Sequence, residues 1–194
     1  GRTVSARAAL RRARVKPAQL EIKEGIGLIN GTQAMQSVGG LALLAAGRVW
    51  RAAQLAGAMS LEAMTGTPEP FEDAIHRLKP HPGQLEAARE LRSLMRASEI
   101  RESHRHDDPR VQDPYSLRCM PQVHGAVLDQ LLRARETVEI ELGSVTDNPL
   151  VSGGRVYSGG NFHGQALSFA FDGDALALTA LGNISERRIF QLIS

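Results

Sequence analysis

Residues 33–64 read QAMQSVGGLALLAAGRVWRAAQLAGAMSLEAM, and this stretch decides the fold. No proline interrupts it, and good helix formers (Ala, Leu, Met, Gln) dominate it. As one α-helix it runs about 45 Å at 1.5 Å per residue. The Asn30-Gly31 pair before it is a turn signal, and Thr32 is placed to cap the helix. Gly39-Gly40 is its weak point. Its middle, Leu41 to Ala46, is small and apolar on nearly every side, and a helix apolar all round is a buried one. That predicts a helical bundle or a subunit interface.

Outward from this helix the same alphabet continues. Hydrophobic residues make up 42% of the 194 and aromatics only 4%, which favours closely packed Ala/Leu helices over sheets. Residues 5–12 suggest a short helical segment, broken at Lys16-Pro17, and 18–28 are mixed. Breaks follow at Gly66 to Pro70 and at His76 to Gly83 (HRLKPHPG). Residues 84–97 form a helix with Leu85, Ala88, Leu91 and Met95 on one stripe, and 99–119 are polar and irregular. From Gln122 to Leu142, apolar residues recur at three- and four-residue steps, and 165–192 form a third long helix. Between these two, 143–164 are turn-rich, with two short strands around 150–151 and 155–157 joined at Gly153-Gly154. The predicted class is all-α, with three long helices and a small two-stranded element near 150–157. Both ends read as interior to a longer polypeptide, since there is no initiator Met and the pattern stops inside an amphipathic helix at 191–194.

Charge and cysteine usage narrow the function classes. The 23 basic and 21 acidic residues are intermixed, which argues against a nucleic-acid-binding stripe. The single Cys119 makes no disulfide framework and favours a reducing, cytoplasmic compartment. No apolar run is long enough to cross a bilayer. His104 and His106 beside Asp107 and Asp108 lack a metal-site pattern and suit a solvated loop, and Asp172 and Asp174, two apart on a helix, point in different directions.

The polar residues that need explaining gather at helix mouths: Asn30, Gln112 to Arg118, and Asn161 to His163. Arg118 can hold a carboxylate bidentately, Tyr115 can donate a hydrogen bond, and Gln112 can donate or accept. With Asp113 they suit a small zwitterion such as an amino acid, and they suit equally a helix cap with a structural salt bridge. The run Gly159-Gly160-Asn161-Phe162-His163-Gly164 permits close backbone approach at the start of a helix. It also fits a hairpin end with His163 bonded to backbone.

Six segments, EGIGLINGTQAM (24–35), HRLKPHPGQ (76–84), RVQDPYSLRCMPQVHG (110–125), SVTDNPLV (144–151), SGGNFHG (158–164) and LGNISERRI (181–189), carry a resemblance across nearly the whole chain. In order and spacing they resemble the histidine branch of the aromatic amino acid ammonia-lyases. The resemblance implies the family's ammonia-lyase/fumarase-like bundle of long central helices, a homotetramer with composite active sites, and residues 1–194 as the central region of a larger lyase. It implies non-oxidative deamination of L-histidine to urocanate and ammonia, with tyrosine or phenylalanine lyases or aminomutases as related alternatives. The family's electrophile is a methylidene-imidazolone (MIO) formed autocatalytically from an Ala-Ser-Gly triplet. This sequence contains no such triplet, so the isolated chain is expected to be inactive, a helical scaffold by itself.

Residue by residue, Asn30 resembles the Asn beside the electrophile, and Gln112 and Tyr115 the pair that reaches toward it from a neighbouring subunit. Arg118 resembles the Arg that clamps the substrate carboxylate, and Phe162 an aromatic lining the pocket from another subunit. Gly143 departs from the family, which commonly has Asn there, and Asp107 or Asp108 stands where Cys is frequent.

Overall fold

The computed structural model describes residues 3–106 and 110–194; Asp107 and Asp108, the acidic part of the His-rich loop, lie outside them. The chain forms two units, residues 1–31 with 145–163, and residues 32–144 with 164–194. The first holds helices α1 (Ala6–Ala13) and α2 (Glu24–Ile29) and an antiparallel hairpin of β1 (Leu150–Ser152) and β2 (Arg155–Tyr157). The second holds α3 (Gln33–Ala63), a 3-10 turn (Glu69–Phe71), α4 (Asp73–Arg77), α5 (Pro82–Leu94), α6 (Glu99–Ser103), α7 (Tyr115–Arg118), α8 (Met120–Leu142) and α9 (Gln165–Ile193).

The all-α class and the hairpin agree with the sequence. Gly153 and Gly154 have φ of +55° and +74°, the left-handed pair that a two-residue hairpin turn requires. Leu150 pairs with Tyr157 and Ser152 with Arg155. The short helices α2, α4, α6 and α7 fall in stretches whose pattern reads as mixed, broken or irregular. Each has four to six residues, too few for helical periodicity to show.

Two expectations about α3 are corrected. Thr32 occupies the N-cap position but makes no capping bond. Its hydroxyl donates to Glu141 Oε1 at 2.7 Å and accepts from the Gln36 side-chain amide at 2.8 Å, so the oxygen that would accept a capping N–H is engaged by Gln36 instead. The middle of α3 is not buried all round within this chain. Ala46, Trp50, Gln54, Ala58 and Leu61 form an inward stripe, while Leu41 and Leu44 remain 67% and 64% exposed. One helix face is all that α5, α8 and α9 can cover. Gly39 does not break the helix; the Phe171 ring of α9 occupies the space a side chain there would need.

The core has two apolar clusters. One joins Leu61 of α3 to Phe71, Leu91, Leu117 and Met120; the other joins Trp50 to Ala87, Val127, Leu131 and Leu181. Val127, Leu131, Ala134 and Val138 are the buried part of the predicted α8 stripe, whereas Leu142 is exposed. Gly143 is the C-cap of α8, with φ of −89°, so no left-handed conformation demands glycine there.

Helices α5 and α8 cross in backbone contact. A Cβ on Gly83 would lie 2.1 Å from the Gly125 carbonyl oxygen, and one on Gly125 would lie 2.4 Å from Gln84 Cα. The Gly83 N–H donates to Asp129 Oδ1 at 2.8 Å, which places a carboxylate at the start of α5. HRLKPHPGQ and RVQDPYSLRCMPQVHG thus each contribute one glycine to a single crossing. Gly125→Ala is expected to lower stability by about 3 kcal/mol, since backbone atoms cannot move aside as a side chain can. Gly182→Ala on α9, with open space around it, is expected to be neutral or to add up to about 1 kcal/mol. Urea unfolding of the two variants checks the contrast.

Candidate functional site

The polar mouth of α8 is built in layers. The segment before α7 is pinned to the end of α3. Asp113, 3% exposed, accepts from the Thr67 N–H at 2.7 Å and pairs with Arg110 at 3.5 Å. Arg110 also donates to the Met64 carbonyl at 2.7 Å and to the Thr65 carbonyl. Asp113 therefore takes the structural role that the sequence left open.

Its neighbours face outward. Gln112 is exposed and Tyr115 is 73% exposed. The Arg118 guanidinium lies over the Tyr115 ring, 4.7 Å from its centroid, a cation–π contact that orients both. The Arg118 Nε is buried without a hydrogen-bond partner, and no carboxylate pairs with Arg118 among the described residues. Ser116 Oγ and Gln122 Oε1 are likewise buried and unpartnered. Buried polar groups are nearly always paired, so three orphans within seven residues single out this helix mouth as the candidate site. Sequence reading did not single out Gln122; its position one turn after Arg118 was the available signal.

Behind this surface lies a polar hub. Arg188 of α9 is 2% exposed; it donates through Nη2 to Ser185 Oγ at 2.9 Å and through Nη1 to the Ser116 carbonyl of α7 at 3.3 Å. Its Nη1 also lies 3.4 Å from His124 Nε2. Burial, and secondarily the Arg188 charge, push His124 down to about 3, so its ring is neutral. With Arg188 donating to Nε2, the ring proton sits on Nδ1 and is donated to Gln54 Oε1 at 2.6 Å. Gln54 Nε2 then donates to the Ala87 carbonyl and to Glu90. Trp50 donates to the His124 carbonyl at 2.7 Å. His76, in HRLKPHPGQ, is also buried; its Nε2 donates to the Pro70 carbonyl and its Nδ1 accepts from Gln84 of the same segment. Burial lowers its pKa as well.

Asn30 and Phe162 belong to the other unit. Asn30 ends α2 in an extended conformation, and its Nδ2 donates to Asp147 Oδ1 at 2.9 Å. Asp147 also pairs with Lys23. Phe162 is 41% exposed, in the turn closed by the His163 N–H donating to the Gly160 carbonyl. The Asn161 amide donates to the Val145 carbonyl. Cys119, half-buried, is the free thiol between α7 and α8. Among the described residues no three His, Cys, Asp or Glu side chains gather as for a metal ion.

The long helices, with the tyrosine-stacked Arg118 at a helix mouth, form a bundle of the ammonia-lyase and aminomutase fold. The chain belongs to the aromatic amino acid lyase family, whose pattern matches residues 1–194. It is 49% identical over 201 residues to a histidine ammonia-lyase of Sorangium cellulosum and 50% identical over 196 residues to one of Myxococcus xanthus. All of this chain is covered in both alignments, against 39% and 38% of the relatives, so it spans about two fifths of their length. Among solved structures, histidine ammonia-lyase from Trypanosoma cruzi matches 96% of the chain at 42% identity with a TM-score of 0.84. A tyrosine aminomutase from Streptomyces globisporus matches 97% at 38% identity with a TM-score of 0.87. These cover 34% and 40% of those chains. No helix among the described residues is long and apolar enough to cross a membrane.

The hub makes stability depend on pH. Unfolded, His124 titrates near 6.5; folded, it stays neutral to about 3. Below pH 6.5 the unfolded chain therefore takes up a proton that the folded one refuses, and stability falls as pH drops from 6.5 toward 3. From pH 7 to pH 5 this group alone is expected to cost about 2 kcal/mol. His76 adds to the loss in the same sense. Asp147, held down to about 2 chiefly by Lys23, loses its contribution only at lower pH. Urea midpoints at pH 7 and 5 test this, with a His124→Gln variant expected to flatten the slope.

Proposed function

We propose that this chain is the central helical region of a cytoplasmic histidine ammonia-lyase that converts L-histidine to urocanate and ammonia. The observation that carries the reading is Arg118: a guanidinium stacked on Tyr115, without a carboxylate partner among the described residues, its Nε buried and unbonded. A planar cation stacked in place and lacking a carboxylate suits bidentate capture of an amino-acid carboxylate. The 49% and 50% identity to histidine ammonia-lyases favours histidine over the tyrosine and phenylalanine relatives.

Each residue then has a definite task. Arg118 holds the carboxylate and so fixes the β-carbon, which lowers the entropic part of the barrier. The exposed Tyr115 hydroxyl and Gln112 amide form no hydrogen bonds among the described residues and suit the polar rim of an MIO brought by another subunit. What that group supplies when bound is electrophilic activation of the amine, a poor leaving group by itself. Tyr115 and Gln112 stabilise charge at that rim. Asn30 serves the MIO, and Phe162, from yet another subunit, lines the pocket and excludes water. The exposed apolar face of α3 (Val38, Leu41, Leu44, Leu55, Met59) is the surface through which copies assemble, as a tetramer with composite sites.

The full-length gene product is expected to release urocanate from L-histidine, seen by its ultraviolet absorbance, with turnover of order one to a thousand per second. Arg118→Ala is expected to abolish detectable turnover, and Arg118→Lys to raise KM, because an ammonium cannot make two parallel bonds to the carboxylate. The isolated 194-residue chain is expected to form no urocanate. Product from tyrosine or phenylalanine, with none from histidine, would shift the substrate. Product from none of them would favour a non-catalytic scaffold.

A further inference from the structure

The segment SVTDNPLV carries an acid that the lyase reading leaves without a task. Asp147 lies against one face of α2. Lys23, Gly27 and Asn30 recur at four- and three-residue steps, so they line that face. The carboxylate lies along it: Lys23 Nζ pairs with Oδ2, and Asn30 Nδ2 donates to Oδ1 at 2.9 Å. Between the two, Gly27 faces the carboxylate: a Cβ there would sit 4.0 Å from Oδ2, an ordinary contact. Asn30 is itself held by its backbone, whose N–H donates to the Ile26 carbonyl at 2.8 Å.

An ionised carboxylate only accepts, so the Asn30 atom facing it must be the nitrogen. The lysine and the amide keep that carboxyl ionised, well below the usual carboxylate range. The amide orientation is thereby set by charge, and rotation by a half-turn would place two oxygens in repulsion. Among the described residues no bond is made to Asn30 Oδ1. A planar amide bonded at nitrogen to an anion is polarised toward its oxygen, which becomes the better acceptor.

We propose that Asp147, clamped by Lys23, is the positioning residue that turns the Asn30 carbonyl oxygen outward as an acceptor for the ammonium group of the amino-acid substrate. This rests on the lyase reading. Asn30 then reads the amine through an orientation that it does not set itself.

The test uses the full-length enzyme and two unreactive probes. D-histidine carries the amine; 3-(imidazol-4-yl)propionate has the same ring and acid without it. Asp147→Ala is expected to weaken inhibition by D-histidine by about tenfold or more and to leave inhibition by the propionate unchanged. Asn30→Ala is expected to do the same, and the double variant to be no weaker than Asn30→Ala alone, because the two act as one unit. Should Asp147→Ala unfold, as read by its Tm, Asp147→Asn decides. It retains an acceptor but not the charge, and is expected to lose D-histidine affinity selectively and by less. Equal loss of both probes, or losses that add in the double variant, would overturn the proposal in favour of a structural acid. Asn30→Ala without effect on D-histidine, in an enzyme that Arg118→Ala silences, overturns the acceptor role with the lyase reading intact. Absence of turnover and of D-histidine binding in the unaltered enzyme defeats the lyase reading itself.

Discussion

The larger unit depends on one buried charge. Arg188 is sealed inside the helices, and a desolvated guanidinium costs several kcal/mol unless each donor finds an acceptor. The acceptors available are the Ser116 carbonyl, the Ser185 hydroxyl and one ring nitrogen of His124. That demand fixes the His124 tautomer, which fixes the Gln54 amide, which reaches the Ala87 carbonyl and Glu90. Four helices, α9, α8, α3 and α5, are joined by a donor chain that works in one direction only. Such a hub adds less net stability than apolar packing of the same volume would; its value is that only one arrangement satisfies it. The arrangement matters because the Ser116 carbonyl belongs to α7, which carries Tyr115 and Arg118.

Long elements were legible in the sequence because each holds many periods. The α3 boundaries, the three- and four-residue steps of α8 and the glycine pair of the hairpin correspond to the observed elements. What periodicity cannot carry is contact between distant residues. His124 and Gln54 are separated by 70 positions, Arg188 and His124 by 64, and Asn30 and Asp147 by 117. The run Glu186-Arg187-Arg188 shows the limit within a single turn. Arg187 lies on the surface paired with Glu186, while Arg188, one step of about 100° further round the helix, points into the core. Nothing in the three letters distinguishes the two arginines.

The site was legible as a cluster and illegible as a division of roles. Gln112, Asp113, Tyr115 and Arg118 fit either a cap with a salt bridge or a ligand-binding patch, and only for Asp113 does the structure choose, in favour of the structural role. Asp113 is spent on Thr67 and Arg110, whereas Tyr115 is exposed and Arg118 is stacked on its ring. The quoted family segments divide in the same way. His76 and Gln84 bond to each other, and Gly83 meets Gly125 across the α5–α8 crossing. A segment that identifies a family therefore need not touch a substrate: much of HRLKPHPGQ is required by packing.

Two features of this chain are unfinished in a way that its own residues do not complete. An Arg118 guanidinium without an anion is costly where it is partly buried, and the apolar outer face of α3 is costly where it is exposed. Within a single chain a more acidic residue near Arg118, or polar residues at Leu41 and Leu44, would relieve both. The composite lyase proposed above would answer both costs together: association would cover the α3 face, and a bound carboxylate would pair with Arg118. The same logic explains why Asp113 is tied off internally. An acid left free beside Arg118 would pair with it and neutralise the guanidinium, whereas Asp113 is engaged by Thr67 and Arg110 instead.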